Sequence, residues 1–383
     1  MNLPLPAGTG DIMQCTYFDA GVCRSCTLMG MPYDEQVARK VADAQKLLVA
    51  WPGAIWLSPM ASQPEGFRNK AKMVVGGTVE APTLGILDAS GYGVDLTSCG
   101  VLSDGLRVAF APITAFITRA RIVPYDVPAR RGELKNVLLT ESPDGELMLR
   151  FVLRSSEALG RIRKHLPSLL AALPHIAVAS VNLLPEHKAV LEGDEELPLL
   201  GEALAMPVGG TVLHLRPGSF FQTNTEIAAG LYAQAREWID EVGAGLVWDL
   251  YCGVGGFALA LAAPGRHVHG IEISVAAVES ASRSAAEAGL PDVTFAVGDA
   301  TAIVASNRPD AIVVNPPRRG LGDALCTTLN ASGVPTIVYS SCNAESLARD
   351  LAAMPAYTPT RFRLFDMFPQ TDHSELMVLL ARR

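Results

Sequence analysis

A chain of 383 residues, 49% hydrophobic and 18% charged, can bury a sizeable core in two or three domains, which excludes an intrinsically disordered protein. Its formal charge of -8 excludes coating of nucleic acid by bulk basicity but leaves room for a local basic groove. The first fourteen residues, MNLPLPAGTGDIMQ, lack a basic stretch followed by an apolar one, and no run of about 18 apolar residues occurs. A soluble cytoplasmic protein with no membrane partner is therefore expected.

Cys15, Cys23 and Cys26 come first, spaced C-x7-C-x2-C, and Cys99 follows in VDLTSCGVL. Seven cysteines in a chain without an export signal favour metal binding over disulfides. Spacing alone does not separate zinc from an iron-sulfur cluster. The triplet differs from the C-x3-C-x2-C arrangement that radical chemistry needs, so a cluster here is expected to be structural.

Residues 33–50 predict a helix with Val37, Val41, Ala44 and Leu48 on one face and Arg39, Lys40 and Lys46 turned away. From 67 to 215 the rhythm is strand-like, in KMVVGGTVE, LKNVLLTES, ELMLRFVLR and AVASVNLL, which predicts an α+β middle domain. If FRNKAK is a strand, Arg68, Lys70 and Lys72 share one face as a cationic stripe suited to RNA. Asn224 is a candidate N-cap for a helix whose stripe is Ile227, Leu231, Trp238 and Val242.

Strands and helices then alternate. The predicted strands are 246–251, 267–272, 293–297, 311–314 and 336–340, followed by FRLFD and ELMVLL. Such alternation predicts a doubly wound sheet that binds its ligand at the carboxyl ends of the strands. The expected division is 1–66 for the cysteine region, with Cys99 outside it, 67–215 for the middle domain and 216–383 for the last.

The first of these strands runs into CGVGG (252–256) and a helix near Phe257, a loop whose backbone can approach a ligand closely. The next strand ends in Glu272, placed to accept from ribose hydroxyls, and the third leads to Asp299, near the adenine end. Glycines at 253, 255 and 256 do not fit GxGxxG, which favours S-adenosylmethionine over NAD. Helix capping is the alternative reading of Glu272 and Asp299.

Two more loops fall on the same edge. Asn315 opens NPPRRG (315–320), a rigid extended turn able to bind a planar polar ring. Arg318 and Arg319 stand where an amine methylase often carries an aromatic residue, and they suit a phosphate-bearing substrate. Cys342 in SCNAES sits between a strand and a helix start, where terminal amides favour a thiolate. Gln222 in SFFQTN is a further candidate for a cofactor contact, or satisfies backbone groups.

CTYFDAGVCRSC, GFRNKAKMVV, RRGELKNVLLTES, SFFQTN, WDLYCGVGGFAL, NPPRRG, YSSCNAES and LFDMFP together resemble the bacterial RNA uracil-C5 methyltransferases, specifically the type acting on 23S ribosomal RNA at the uracil numbered 747. Nearly the whole chain is covered. The resemblance implies an α/β fold with a carboxy-terminal Rossmann-like class I methyltransferase domain behind an iron-sulfur cysteine region. It implies S-adenosyl-L-methionine held by Gln222, Tyr251, Glu272 and Asn315, with Asp299 beside them. It also implies a 4Fe-4S cluster on Cys15, Cys23, Cys26 and Cys99, Cys342 as nucleophile, and Glu375 in HSEL as the base.

The chemistry explains the thiol. C5 of uracil is a poor nucleophile until a thiolate adds to C6, and a base must afterwards remove the C5 proton. Only fourteen residues precede Cys15, too few for the small RNA-binding barrel that several relatives carry, so RNA affinity is expected from the cysteine region and middle domain. Ribosomal RNA is the expected partner, with no DNA and a monomeric enzyme. Rival readings are another ribosomal uridine or transfer RNA, amino methylation of a base or protein, and an RNA-binding protein whose methylase site has decayed.

Overall fold

The computed structural model describes residues 12–187, 190, 192–300 and 308–383. The first eleven residues, which carry most of the stretch read for a leader, lie outside them.

The cysteine segment holds a single helical turn, α1 (Thr16–Asp19), and leads to helix α2 (Tyr33–Leu47) and a short strand, β1 (Ile55–Trp56). Val37, Ala44 and Leu48 are buried as predicted. Lys40 corrects the reading: it faces inward, because Gln36, Lys40 and Ala44 are four apart and share one face. Its Nζ donates to Asp366 Oδ1 at 2.6 Å and to Phe368 O at 3.0 Å.

The middle of the chain supplies β2 (Lys70–Gly77), β3 (Pro82–Leu87), β4 (Gly93–Asp95), α3 (Asp104–Arg119), β5 (Leu134–Glu141), β6 (Leu147–Leu153), α4 (Leu159–Ala172), β7 (Ile176–Leu183) and β8 (Glu195–Leu200). They form a seven-stranded sheet in the order β4-β3-β2-β5-β6-β7-β8. Neighbours are antiparallel except β6 and β7, whose parallel pairing needs the crossover helix α4. Apolar side chains of β2, β5, β6 and β7 pack with α3 and α4 into one core.

A hairpin, β9 (Leu204–Val208) and β10 (Thr211–Leu215), precedes α5 (Thr225–Glu241). Asn224 caps α5 by accepting from Ile227 N–H at 3.3 Å. Ile227, Leu231 and Trp238 are fully buried, but Val242 is 43% exposed. The helix stops at Glu241 and the chain turns outward through Gly243 at φ 65, so the stripe loses its last member.

There follow β11 (Leu246–Leu250), α6 (Gly256–Ala260), β12 (His267–Glu272), α7 (Val275–Glu287), β13 (Val293–Val297), β14 (Ala311–Val314), α8 (Gly322–Ser332), β15 (Thr336–Ser341), α9 (Ala344–Ala353), β16 (Tyr357–Phe365) and β17 (Glu375–Arg382). The eight-stranded sheet runs β1-β16-β17-β15-β14-β11-β12-β13. Strands β11 to β15 are mutually parallel, and β17 lies antiparallel between β15 and β16. Strand order reverses at β11, so the carboxyl ends of β11, β12 and β14 border a crevice where α/β sheets take their ligands.

The two sheets meet through Met148 and Val178, which join the core of the eight-stranded sheet, and through a polar seam at Asn69. Asn69, just before β2, donates through Nδ2 to Gln222 O at 3.0 Å and Thr225 Oγ1 at 2.7 Å. Its own N–H donates to Thr223 O at 2.9 Å.

Lys40→Met leaves the Asp366 carboxylate buried without its cation and is expected to cost about 3–5 kcal/mol in urea denaturation. Adding Asp366→Asn should recover part of that loss by removing the stranded charge. A cost below about 1 kcal/mol, the range of an exposed pair, would show that water reaches the site.

Candidate active site

The carboxyl ends of successive parallel strands carry most of the predicted residues. Tyr251 follows β11, Glu272 ends β12, Asp299 lies after β13, Asn315 follows β14 and Cys342 follows β15. Gln222 stands apart from this row, on the seam before α5. Its side chain is buried.

The glycine-rich loop after β11 turns sharply: Tyr251 adopts φ 59, and Gly253 and Gly255 adopt φ 53 and 88. A Cβ on Gly256 would stand 2.3 Å from Tyr232 Oη, so the loop packs without side chains at that point. Glu272 braces it, accepting from Gly253 N–H at 3.1 Å through Oε2 and from Ser274 N–H at 2.9 Å through Oε1. Burial pushes the Tyr251 phenol up, and the nearby Asp299 carboxylate adds to the shift.

Cys342 is half-buried. The expectation of a thiolate favoured by helix amides is not met in the free chain: burial and then Glu375 push the thiol up, while Arg318 pulls it down. The reason is local. Asn343 caps α9 itself, its Oδ1 accepting from Glu345 N–H at 3.0 Å and Ser346 N–H at 3.5 Å, so those amides are already occupied.

Strand pairing explains why Glu375 matters here. β15 and β17 pair Ser341 with Leu376, so one step further along the antiparallel register sets Cys342 beside Glu375. Glu375 is 1% exposed, and Ser340 Oγ donates to its Oε1 at 2.7 Å. Burial raises its carboxyl from the ordinary 4.5 to about 7 against that hydrogen bond.

Cys342 separates two cavities. One, of about 570 Å³, reaches from Cys342 and Arg318 to Cys15, Cys23, Cys26 and Cys99 and is also lined by Arg68 and Lys72. The other, of about 230 Å³, is polar and lies against α2 and the start of α9, with Arg318 and His373 in its wall. Burial pushes Lys70 down to about 8 and pushes Arg68 down as well, so of the cationic stripe it is Lys72 that stands exposed.

The four cysteines are free thiols that share one cavity wall. Burial pushes the Cys26 thiol up to about 12, and Cys99, Cys23 and Cys15 reinforce the shift by mutual repulsion. Among the described residues, no group of three or more His, Cys, Asp or Glu side chains is disposed to hold a metal ion.

Comparison with known proteins places this arrangement. The 23S rRNA (uracil(747)-C(5))-methyltransferase of Halothiobacillus neapolitanus is 49% identical over 379 residues, covering 97% of this chain and 100% of that protein. Its counterpart from Edwardsiella ictaluri is 48% identical over 374 residues, covering 97% and 99%. The chain belongs to the 23S rRNA (uracil(747)-C(5))-methyltransferase family. The family described as tRNA (Uracil-5-)-methyltransferase matches residues 302–383, and the one described as Methyltransferase small domain matches 211–329. The crystal structure of Pyrococcus abyssi tRNA (uracil-54, C5)-methyltransferase in complex with S-adenosyl-L-homocysteine superposes with a TM-score of 0.79 at 27% identity, covering 94% of this chain and 85% of that one. The α/β class I methyltransferase fold is thereby established.

In this uracil-C5 methyltransferase, sequence reasoning passed over, besides Asp366, two buried carboxylates on the parallel strands and their helices. Asp249, inside β11, accepts from Ala258 N–H at 2.9 Å through Oδ2, while its Oδ1 has no partner among the described residues. Burial pushes it up to about 8. An acid inside an apolar strand before a glycine loop was the available signal. Asp350 on α9 is the other, and no local pattern marks it.

The raised Glu375 carboxyl has a stability consequence. Between pH 4.5 and about 7 the folded chain binds a proton that the unfolded chain has lost, so stability falls as pH rises, by at most about 1.4 kcal/mol per pH unit. Glu375→Gln should remove that slope and stabilise the protein at alkaline relative to acid pH in thermal melts. An unchanged slope would mean that the carboxyl is solvated.

Proposed function

We propose that this chain transfers a methyl group from S-adenosyl-L-methionine to C5 of the 23S ribosomal RNA uridine named in its relatives, position 747, through a covalent adduct of Cys342 with C6. The observation that carries the reading is the register of β15 and β17, which sets a half-buried thiol beside a buried carboxyl that titrates near neutrality. Identity of 46–49% to the ribosomal enzymes, against 27% to the transfer-RNA structure, favours 23S RNA.

The residues fit the cofactor. Tyr251, Glu272, Asp299 and Asn315 lie along the carboxyl edge of the parallel strands, with Gln222 apart on the seam before α5, and Asp249 offers next to the loop a buried oxygen with no partner among the described residues, suited to a cationic ligand. When bound, S-adenosylmethionine supplies an electrophilic methyl on a sulfonium. Cys342 loses its proton, with Arg318 favouring the thiolate, and its sulfur adds to C6 of a uracil flipped out of the RNA. The electron pair moves toward C5 and O4, and C5 takes the methyl group. Glu375 then removes the C5 proton, and the returning pair expels the Cys342 thiolate.

Cys15, Cys23, Cys26 and Cys99 are assigned to a 4Fe-4S cluster. Support comes from four thiols on one wall that repel one another as thiolates, a donor set suited to iron; a cluster also spreads its ligands more widely than a single ion does. The cluster would shape the RNA surface formed by residues 67–215 together with the cysteine region, where Arg68 and Lys72 supply positive charge. Among the described residues, no helix is long and apolar enough to cross a membrane.

Tritium at uracil C5 tests the reaction, since C5 methylation must release it. Wild-type protein is expected to release it from 23S RNA and not from transfer RNA, with a rate rising through pH 7 as Glu375 ionises. Cys342→Ala should bind cofactor but release nothing and trap no RNA; release above background removes Cys342 from its role. Cys26→Ser should lower bound iron in protein purified without oxygen, and unchanged iron refutes the cluster.

A further inference from the structure

Helix α9 starts two residues after Cys342 and grips the Asn315–Gly320 turn at successive points. Asn343 Nδ2 donates to Arg318 O at 3.4 Å, and Arg349 Nη2 donates to Arg319 O at 2.6 Å. Asp350 Oδ2 accepts from Leu321 N–H at 2.7 Å and from Tyr339 O–H at 2.7 Å. The turn closes on itself through Gly320 N–H to Pro317 O at 2.9 Å. At φ 87, Gly320 brings its backbone so near that an added Cβ would stand 2.3 Å from Asp350 Oδ2. Only glycine is accommodated there.

Asp350 therefore joins three elements through one carboxylate. Tyr339 belongs to β15, next to the Ser340 that holds Glu375. Leu321 follows the turn, and Asp350 itself belongs to α9. A carboxylate 2% exposed is tolerated only while its donors stay in place, so the junction resists distortion. The Arg318 side chain takes no part in these contacts: exposed, it lines both cavities that flank Cys342.

We propose that Asp350 is a positioning residue for methyl transfer: by tying β15 and α9 to the Asn315–Gly320 turn, it keeps the Arg318 guanidinium beside the Cys342 thiol. The inference rests on Cys342 being the attacking thiol. Glu375 from β17 acts on that thiol too, and other titratable groups line the polar cavity it borders: Asp372 and His373 from the preceding loop, Lys40 and Asp43 from α2, and Glu345 from α9. Of these and Arg318, only Arg318 rides on the turn that Asp350 holds. Freeing the turn should therefore weaken the one guanidinium that pulls the thiol down and leave the other charges where they are.

The test compares Asp350→Ala with Asp350→Asn in the full chain. Asparagine keeps an oxygen for both donors, and alanine keeps none. Iodoacetamide labelling of Cys342, followed by peptide mass mapping from neutral to alkaline pH, reads the thiolate without any methyl transfer. Asp350→Ala should displace that profile to higher pH and lower kcat roughly tenfold, and Asp350→Asn should restore most of both. Equal effects of the two substitutions, or lost turnover with an unmoved labelling profile, overturn the proposal. Should Asp350→Ala not fold, Arg349→Ala serves: its side chain is 62% exposed, and a smaller displacement in the same direction is expected, none refuting the idea. Methylation surviving in Cys342→Ala would instead remove the nucleophile assignment and leave the labelling comparison standing.

Discussion

Lys40 and Asp366 meet with side chains 2% and 0% exposed, and two charges are kept from water only where further polar groups complete their shells. Phe368 O receives a second Lys40 proton, and Tyr33 O–H donates to the other Asp366 oxygen at 2.7 Å. One helical turn before Lys40, Gln36 exchanges hydrogen bonds with Gln370, side chain to side chain and to its N–H, each 2.9 Å. Leu28 N–H then donates to Gln370 O at 3.0 Å. These contacts pin the cysteine segment to the loop that ends at Glu375, and the wall opposite Cys342 stands where it does because of them.

Burial is also the common electrostatic cause at the site. It raises Cys342, Glu375 and Asp249 alike, so the resting crevice holds its protons. Each role proposed for them asks for the charged form: a thiolate to attack, a carboxylate to accept a proton, an anion to face a cation. The ligands that carry positive charge or exclude water therefore complete the electrostatics. Among the described residues, Arg318 is the cation that pulls the Cys342 thiol down.

The middle sheet packs one apolar face on α3 and α4, while Met148 and Val178 on the other face join the methyltransferase core. Asn69 joins this sheet to the segment that opens α5 through three hydrogen bonds, to Gln222, Thr223 and Thr225. The surface carrying Arg68 and Lys72 and the edge carrying Cys342 are thereby held as walls of one cavity.

Hydrophobic period and glycine placement made the carboxy-terminal strands, the cofactor loop and the Asn224 cap legible, because each depends on residues close together in sequence. Motif order carried the family and the kind of chemistry. Lys40 was misread because a lysine on a helix is ordinarily solvated, and its partner lies 326 residues away. Val242 was misread because periodicity does not say where a helix stops. Asp350 carries no local mark at all; its importance comes from Leu321 and Tyr339 arriving at the same oxygen. The sequence by itself determined which candidate residues stand at the edge of the sheet. The tertiary structure decided which are charged, which are braced and which face one another, since burial and strand register arise only when distant segments pack.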